Sequence, residues 1–72
     1  MRNNIRTLRD QKRLSQVALA KAAGITRPYL SDIERGVRVP GTDIALRISR
    51  ELGQPVERVF LESGAPFTPF PE

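Results

Sequence analysis

The chain has 72 residues, with 12 Lys and Arg against 8 Asp and Glu, a net charge of +4, and neither cysteine nor histidine. That composition excludes a disulfide framework, a thiolate metal site and any catalysis built on histidine. The length allows one domain at most, burying about 60% of its unfolded surface, and no apolar run approaches the roughly 18 residues of a membrane span.

Apolar residues recur at spacings of three and four rather than two, which predicts helices throughout. The first helix is expected from residue 3 or 4 to residue 13, with Ile5 and Leu8 apolar and Asn3 or Asn4 as its N-cap. Ser15 reads as the cap of a second helix running to about residue 22, with Val17, Ala20 and Ala23 on one face and Leu19 beside them. Gly24 suits the left-handed position just past a helix end. Thr26 reads as the cap of a third helix, with Pro28 in its first turn, where a missing N–H is harmless. The residue before a proline resists the α conformation, so Arg27 is the alternative cap. Tyr29, Leu30, Ile33 and Val37 supply the apolar side, and Gly36 stops the helix. Gly41 or Thr42 caps a fourth helix, with Ala45, Ile48, Ser49 and Leu52 in step and Gly53 at its end. Pro55 opens a short fifth helix, PVERVF, whose apolar residues are Val56, Val59 and Phe60. After Leu61 the stretch SGAPFTPFPE holds three prolines and two phenylalanines and has too little apolar surface to fold alone. The expected organisation is a compact all-α, five-helix domain over residues 1–61 and a tail over 62–72.

Charge is polarised along this frame. Residues 1–38 carry nine basic and three acidic side chains, whereas residues 39–72 carry three basic and five acidic ones. A basic half attracts a polyanion such as nucleic acid. The second and third helices are joined by about four residues including Gly24, too few for a long antiparallel hairpin, and this suits a helix-turn-helix. Such a joint projects the start of its second helix, here Arg27, Pro28, Tyr29 and Asp32, toward a groove, while Leu30 and Ile33 face inward.

The motifs LSQ at 14–16, LAKAAGIT at 19–26, YLSDIERG at 29–36, Pro40, and LGQPVERVF at 52–60 resemble the lambda-repressor-like, Cro-type helix-turn-helix regulators, also called the xenobiotic response element family. The resemblance spans roughly residues 4–61, in order and correctly spaced. It implies a five-helix fold with the helix-turn-helix at helices 2 and 3, usually bound as a homodimer to operator DNA. Gln16 matches a glutamine that touches the DNA backbone, and the second helix's start, with free N–H groups, suits a phosphate. Arg27 is the expected base reader, because a guanidinium can bond guanine O6 and N7 together; the alternative is a phosphate contact. Tyr29 reaches a phosphate or a thymine methyl, or packs on the first helix. Pro28 stiffens the helix start or meets a thymine methyl. Asp32, where the family often has Gln, accepts from a cytosine N4, rejects wrong sites, or is a plain exposed acid. Thr26, Ser31, Arg35, Arg38 and Thr42 are the expected phosphate contacts, with Arg2, Arg6 and Arg13 as weaker candidates, of which Arg6, or else Asn3, reaches a flanking phosphate. The resemblance also implies a partly buried ion pair between Arg9 and Glu34 that holds the third helix. Val56 and Phe60 are the expected dimer centre, with the tail's Phe67 and Phe70 packing on a partner subunit or back on the domain.

The function expected is sequence-specific binding of double-stranded DNA by a cytoplasmic transcriptional regulator, a homodimeric repressor on a palindromic operator. No cofactor, metal, membrane or catalytic residue is implied. The alternative is a protein-interaction module of the same fold, such as an antitoxin bound to a cognate toxin, which the two tail phenylalanines motivate.

Overall fold

The structure, a computed structural model, describes residues 3–60; Arg2 and the tail at 62–72 with Phe67 and Phe70 lie outside the described residues. Among the described residues there are five helices and no strand: α1 (Ile5–Gln11), α2 (Gln16–Ala23), α3 (Arg27–Glu34), α4 (Thr42–Leu52) and α5 (Val56–Val59).

Each boundary has a local cause. Asn4 is the N-cap residue of α1, yet its side chain does not cap; the Oδ1 of Asn3 accepts from the Ile5 N–H at 3.1 Å instead. The helix stops at Gln11, two residues short of the sequence expectation, because Arg13 takes a left-handed φ of 57° and the Leu14 N–H returns to the Arg9 carbonyl at 2.9 Å. The Ser15 hydroxyl accepts from the Ala18 N–H, so α2 begins where a serine can replace a missing helical acceptor. Gly24 ends it at φ +74°, and the following Ile25 N–H closes back onto the Ala20 carbonyl at 2.9 Å. Thr26, not Arg27, is the cap of α3: its hydroxyl accepts from the Tyr29 N–H, which places Pro28 inside the first turn. Gly41 precedes α4 and Pro55 precedes α5, so Pro55 is the cap of the fifth helix and not its first member.

One core unites the helices. Ile5, Leu8, Leu19, Ala20, Ala23, Leu30, Ile33, Ala45, Ile48, Leu52, Val59 and Phe60 are buried together, with Leu14, Ile25, Tyr29, Ile44 and Val56 packed partly against them. Helix α4 packs on α1, α2 and α5, and α2 also packs on α3. Small side chains at Ala20, Ala23 and Ala45 let these helices approach closely, while the leucines and isoleucines each gain about 1.5–3 kcal/mol by leaving water. The first and last helical segments are tied: the Asn4 N–H donates to the Val59 carbonyl at 2.7 Å and the Asn4 side chain to the Arg58 carbonyl at 3.1 Å.

Three expectations are corrected. Phe60 is only 2% exposed and belongs to the chain's own core, so it is not available as the centre of a dimer contact; Val56 beside it is half-buried. Val17 is 57% exposed, because it sits roughly 110° around the helix from the centre of the Leu19, Ala20 and Ala23 stripe. Val37 is also exposed, since the chain leaves α3 at Glu34 and turns through Gly36 at φ +78° before reaching it.

Candidate nucleic-acid interface

The sequence places two helix starts close together. Only residues 24–26 separate α2 from α3, and Gly24, Ile25 and Thr26 each take a fixed part in that turn: a left-handed cap, an apolar anchor and a hydroxyl cap. Leu30 and Ile33 seat α3 on the core from behind. Arg27 and Pro28 are left exposed at its outer tip, with Tyr29 half-buried beside them.

A chain of polar contacts runs behind this tip. Glu34, at the far end of α3, receives the Arg9 guanidinium through two bonds, Nε to Oε2 at 2.8 Å and Nη2 to Oε1 at 3.2 Å. The third guanidinium nitrogen of Arg9, Nη1, donates to the Leu14 carbonyl at 3.0 Å, which fixes the α1–α2 connection. Gln16, the first residue of α2, donates from Nε2 to Glu34 Oε1 at 3.1 Å and accepts at Oε1 from Arg27 Nε at 3.2 Å. The outer arginine is therefore linked, through one glutamine, to the ion pair beneath α3. Arg9 and Glu34 are 12% and 7% exposed, so this pair lies largely out of water.

Beside the network a polar cleft of about 380 Å³ is lined by Arg6, Arg9, Gln16, Ser31, Glu34 and Arg35. Four of these six residues carry a full charge, three of them positive, and Arg6 and Arg35 stand exposed at the surface. A phosphate at its mouth would meet guanidinium groups and the start of α2.

The other end of α3 carries a second cluster. Asp32 Oδ1 takes the Arg35 Nη2 at 2.6 Å, and Asp32 Oδ2 stands 3.9 Å from the Arg38 Nε. The Arg38 guanidinium lies 5.4 Å from the centre of the Tyr29 ring, a cation–π distance. Asp32 is thus bonded to its own neighbours and does not stand as a free acceptor. The structure brings Gln16, Arg27, Ser31, Arg35 and Arg6 to one side of the molecule through the network and the cleft, and Tyr29, Asp32, Arg35 and Arg38 to the adjoining cluster. Thr26 is exposed with its hydroxyl engaged in capping, and Thr42 is exposed as the first residue of α4.

Two supports are absent from the sequence reading. Asn3 Nδ2 donates to the Ile33 carbonyl at 2.9 Å, tying the start of α1 to the end of α3. Arg47 Nη1 donates to the Ala23 carbonyl at 3.4 Å, so α4 supplies a cation to the C-terminal end of α2. Neither has a spacing signature, because both bonds join residues more than twenty positions apart. No helix of the described residues is long and apolar enough to cross a membrane, and none of their acidic side chains gather in groups of three that could hold a metal ion.

Residues 5–59 match the helix-turn-helix family HTH_3. An uncharacterized HTH-type transcriptional regulator of Mycobacterium tuberculosis is 35% identical over 60 residues, which cover 83% of this chain and 43% of the relative. Control protein C.BamHI of Bacillus amyloliquefaciens is 42% identical over 62 residues, covering 74% of this chain and 76% of that protein. Among solved structures, the restriction-modification controller protein C.AhdI from Aeromonas hydrophila aligns with a TM-score of 0.72 at 34% identity, over 78% of this chain and 85% of that one. The chain spans less than half the length of the mycobacterial relative, which it covers to 43%.

Proposed function

The chain belongs to the HTH_3 helix-turn-helix family, a family of DNA-binding transcription regulators and not of enzymes, and from that premise we propose that it represses transcription as a homodimer on a palindromic operator. The observation that carries the reading is the exposed tip of α3, braced from behind by Leu30 and Ile33 and linked to a partly buried ion pair through Gln16. A helix start already folded and seated on the core can enter a major groove without first being formed, so little binding energy is lost to ordering its backbone.

In this reading Arg27 reads bases, with Pro28 and Tyr29 shaping the tip around it. Gln16, Thr26, Ser31, Arg35, Arg38, Thr42 and Arg6 engage the two phosphate backbones. Gln16 accepts from Arg27 and also opens α2, whose start suits a phosphate. Two copies related by a twofold axis would set their α3 helices about 34 Å apart, one turn of duplex. Val56, half-buried beside the core, contributes apolar surface to that contact in place of Phe60. Occupying a promoter needs nothing beyond such a docking face, which favours repression over activation. C.AhdI is a restriction-modification controller protein, which makes genes of that kind one candidate target.

The test is a gel-shift titration of wild type and Arg27→Ala on several duplexes over a range of salt. Base reading predicts that Arg27→Ala loses about 1–3 kcal/mol of discrimination between duplexes while residual non-specific binding survives. A uniform loss across all duplexes demotes Arg27 to a backbone contact.

A further inference from the structure

We infer that Asp32 is an intramolecular stand-in for a DNA phosphate, occupying Arg35 and Arg38 in the free protein and so restraining duplex binding of any sequence. The inference rests on the DNA-docking face proposed above and assigns Asp32 a part other than base reading.

The geometry is that of a carboxylate bracketed by two cations. One oxygen holds Arg35 at 2.6 Å, and the other faces Arg38 at 3.9 Å. The arginine side chains are 64% and 60% exposed and the aspartate 32%, so both cations stay open to an incoming anion while the acid sits partly beneath them. Arg38 is further positioned by the Tyr29 ring. The other acid near the end of α3, Glu34, is committed to Arg9 and Gln16, leaving Asp32 as the neutralising charge of this cluster. Exposed ion pairs are weak and screened, so a phosphate oxygen can displace this one. The displacement lowers affinity for every duplex alike, because phosphates carry no sequence information.

The carboxylate is also separable from the fold. The loop after α3 is held by the main-chain carbonyl of Asp32, which accepts from the Val37 N–H at 2.9 Å and the Arg38 N–H at 3.3 Å. Asp32→Asn keeps those bonds and removes only the charge.

The experiment compares wild type, Asp32→Asn and Asp32→Ser by fluorescence anisotropy on a random-sequence duplex and on a duplex enriched from that pool by binding. Circular dichroism melts establish that each variant is folded. The expected result is tighter binding to both duplexes by about three- to tenfold at low salt, a salt slope steeper by up to about one unit, and an unchanged ratio between the two. In addition, Arg38→Gln should weaken binding by a larger factor in the Asp32→Asn background than in wild type. Unchanged affinity and slope would overturn the inference, as would a loss confined to the enriched duplex, which is the signature of base reading. Arg27→Ala is run in parallel to separate the two claims. Lost discrimination in Arg27→Ala with no effect of Asp32→Asn sinks the stand-in and spares the proposed docking face, whereas no effect of either variant sinks both.

Discussion

Arg9 grips Glu34 with two of its nitrogens, at 2.8 and 3.2 Å, from one helix to another twenty-five positions along the chain. Both side chains lie largely out of water, at 12% and 7% exposure, so removing one leaves the other charged and poorly solvated. Arg9→Ala or Glu34→Ala should each destabilise the domain by about 3–5 kcal/mol. For a domain of this size each kcal/mol corresponds to about 4–8 °C in Tm. Glu34→Gln should cost less, since an amide oxygen still accepts from Arg9. Thermal melts followed by circular dichroism check the order; a Glu34→Ala melt equal to wild type would show that the pair does not stabilise the fold.

Gln16 has one bond to the ion pair and one to the outer arginine, so its removal should be read twice. Gln16→Ala should lower stability by about 0.5–1.5 kcal/mol, the usual range for a lost hydrogen bond. It should also weaken duplex binding beyond that stability loss, because Arg27 loses its brace. Titration well below the melting temperature isolates the second effect.

Gly24 sits at φ +74°, and a Cβ there would meet Arg47 Nη1 at 3.3 Å. Gly24→Ala should therefore cost about 1–2 kcal/mol for the left-handed backbone alone. The arginine must also shift from its bond to the Ala23 carbonyl. A denaturant midpoint shifted down with an unchanged m-value is the expected outcome.

Ser49 is 4% exposed, and its hydroxyl has no hydrogen-bond partner among the described residues. Ser49→Ala removes that oxygen, leaves a side chain of nearly the same size and improves helix propensity. The variant should match or exceed wild type in Tm, with a gain of up to about 1 kcal/mol. A marked fall in Tm would reveal a bond made by the hydroxyl in solution.

The helices were legible because their ends carry chemistry of their own. Ser15, Thr26, Gly24 and Gly53 each mark a boundary by a cap or a left-handed backbone, and such signals need only neighbours in sequence. The choice between Thr26 and Arg27 as cap was open in the sequence and turns on a single hydroxyl bond. Phe60 and Val17 depart from the pattern for one reason: an apolar residue at helical spacing says that a face exists but not which neighbour covers it. Phe60 fills the core, and Val17 misses the buried stripe by part of a turn. The Gln16 link between Arg27 and Glu34, and the engagement of Asp32 with Arg35 and Arg38, depend on rotamers of long side chains. Residue spacing carries little information about those.

The bonds from Asn4 to Arg58 and Val59 bring the two ends of the described fold within touching distance. A fold whose ends meet forms a closed ring in space, so the order in which its helices are strung matters less than their neighbours. Residues 3 and 60 bridged by a short Gly-rich connector, with a new opening cut between α3 and α4, should still assemble the same five-helix body.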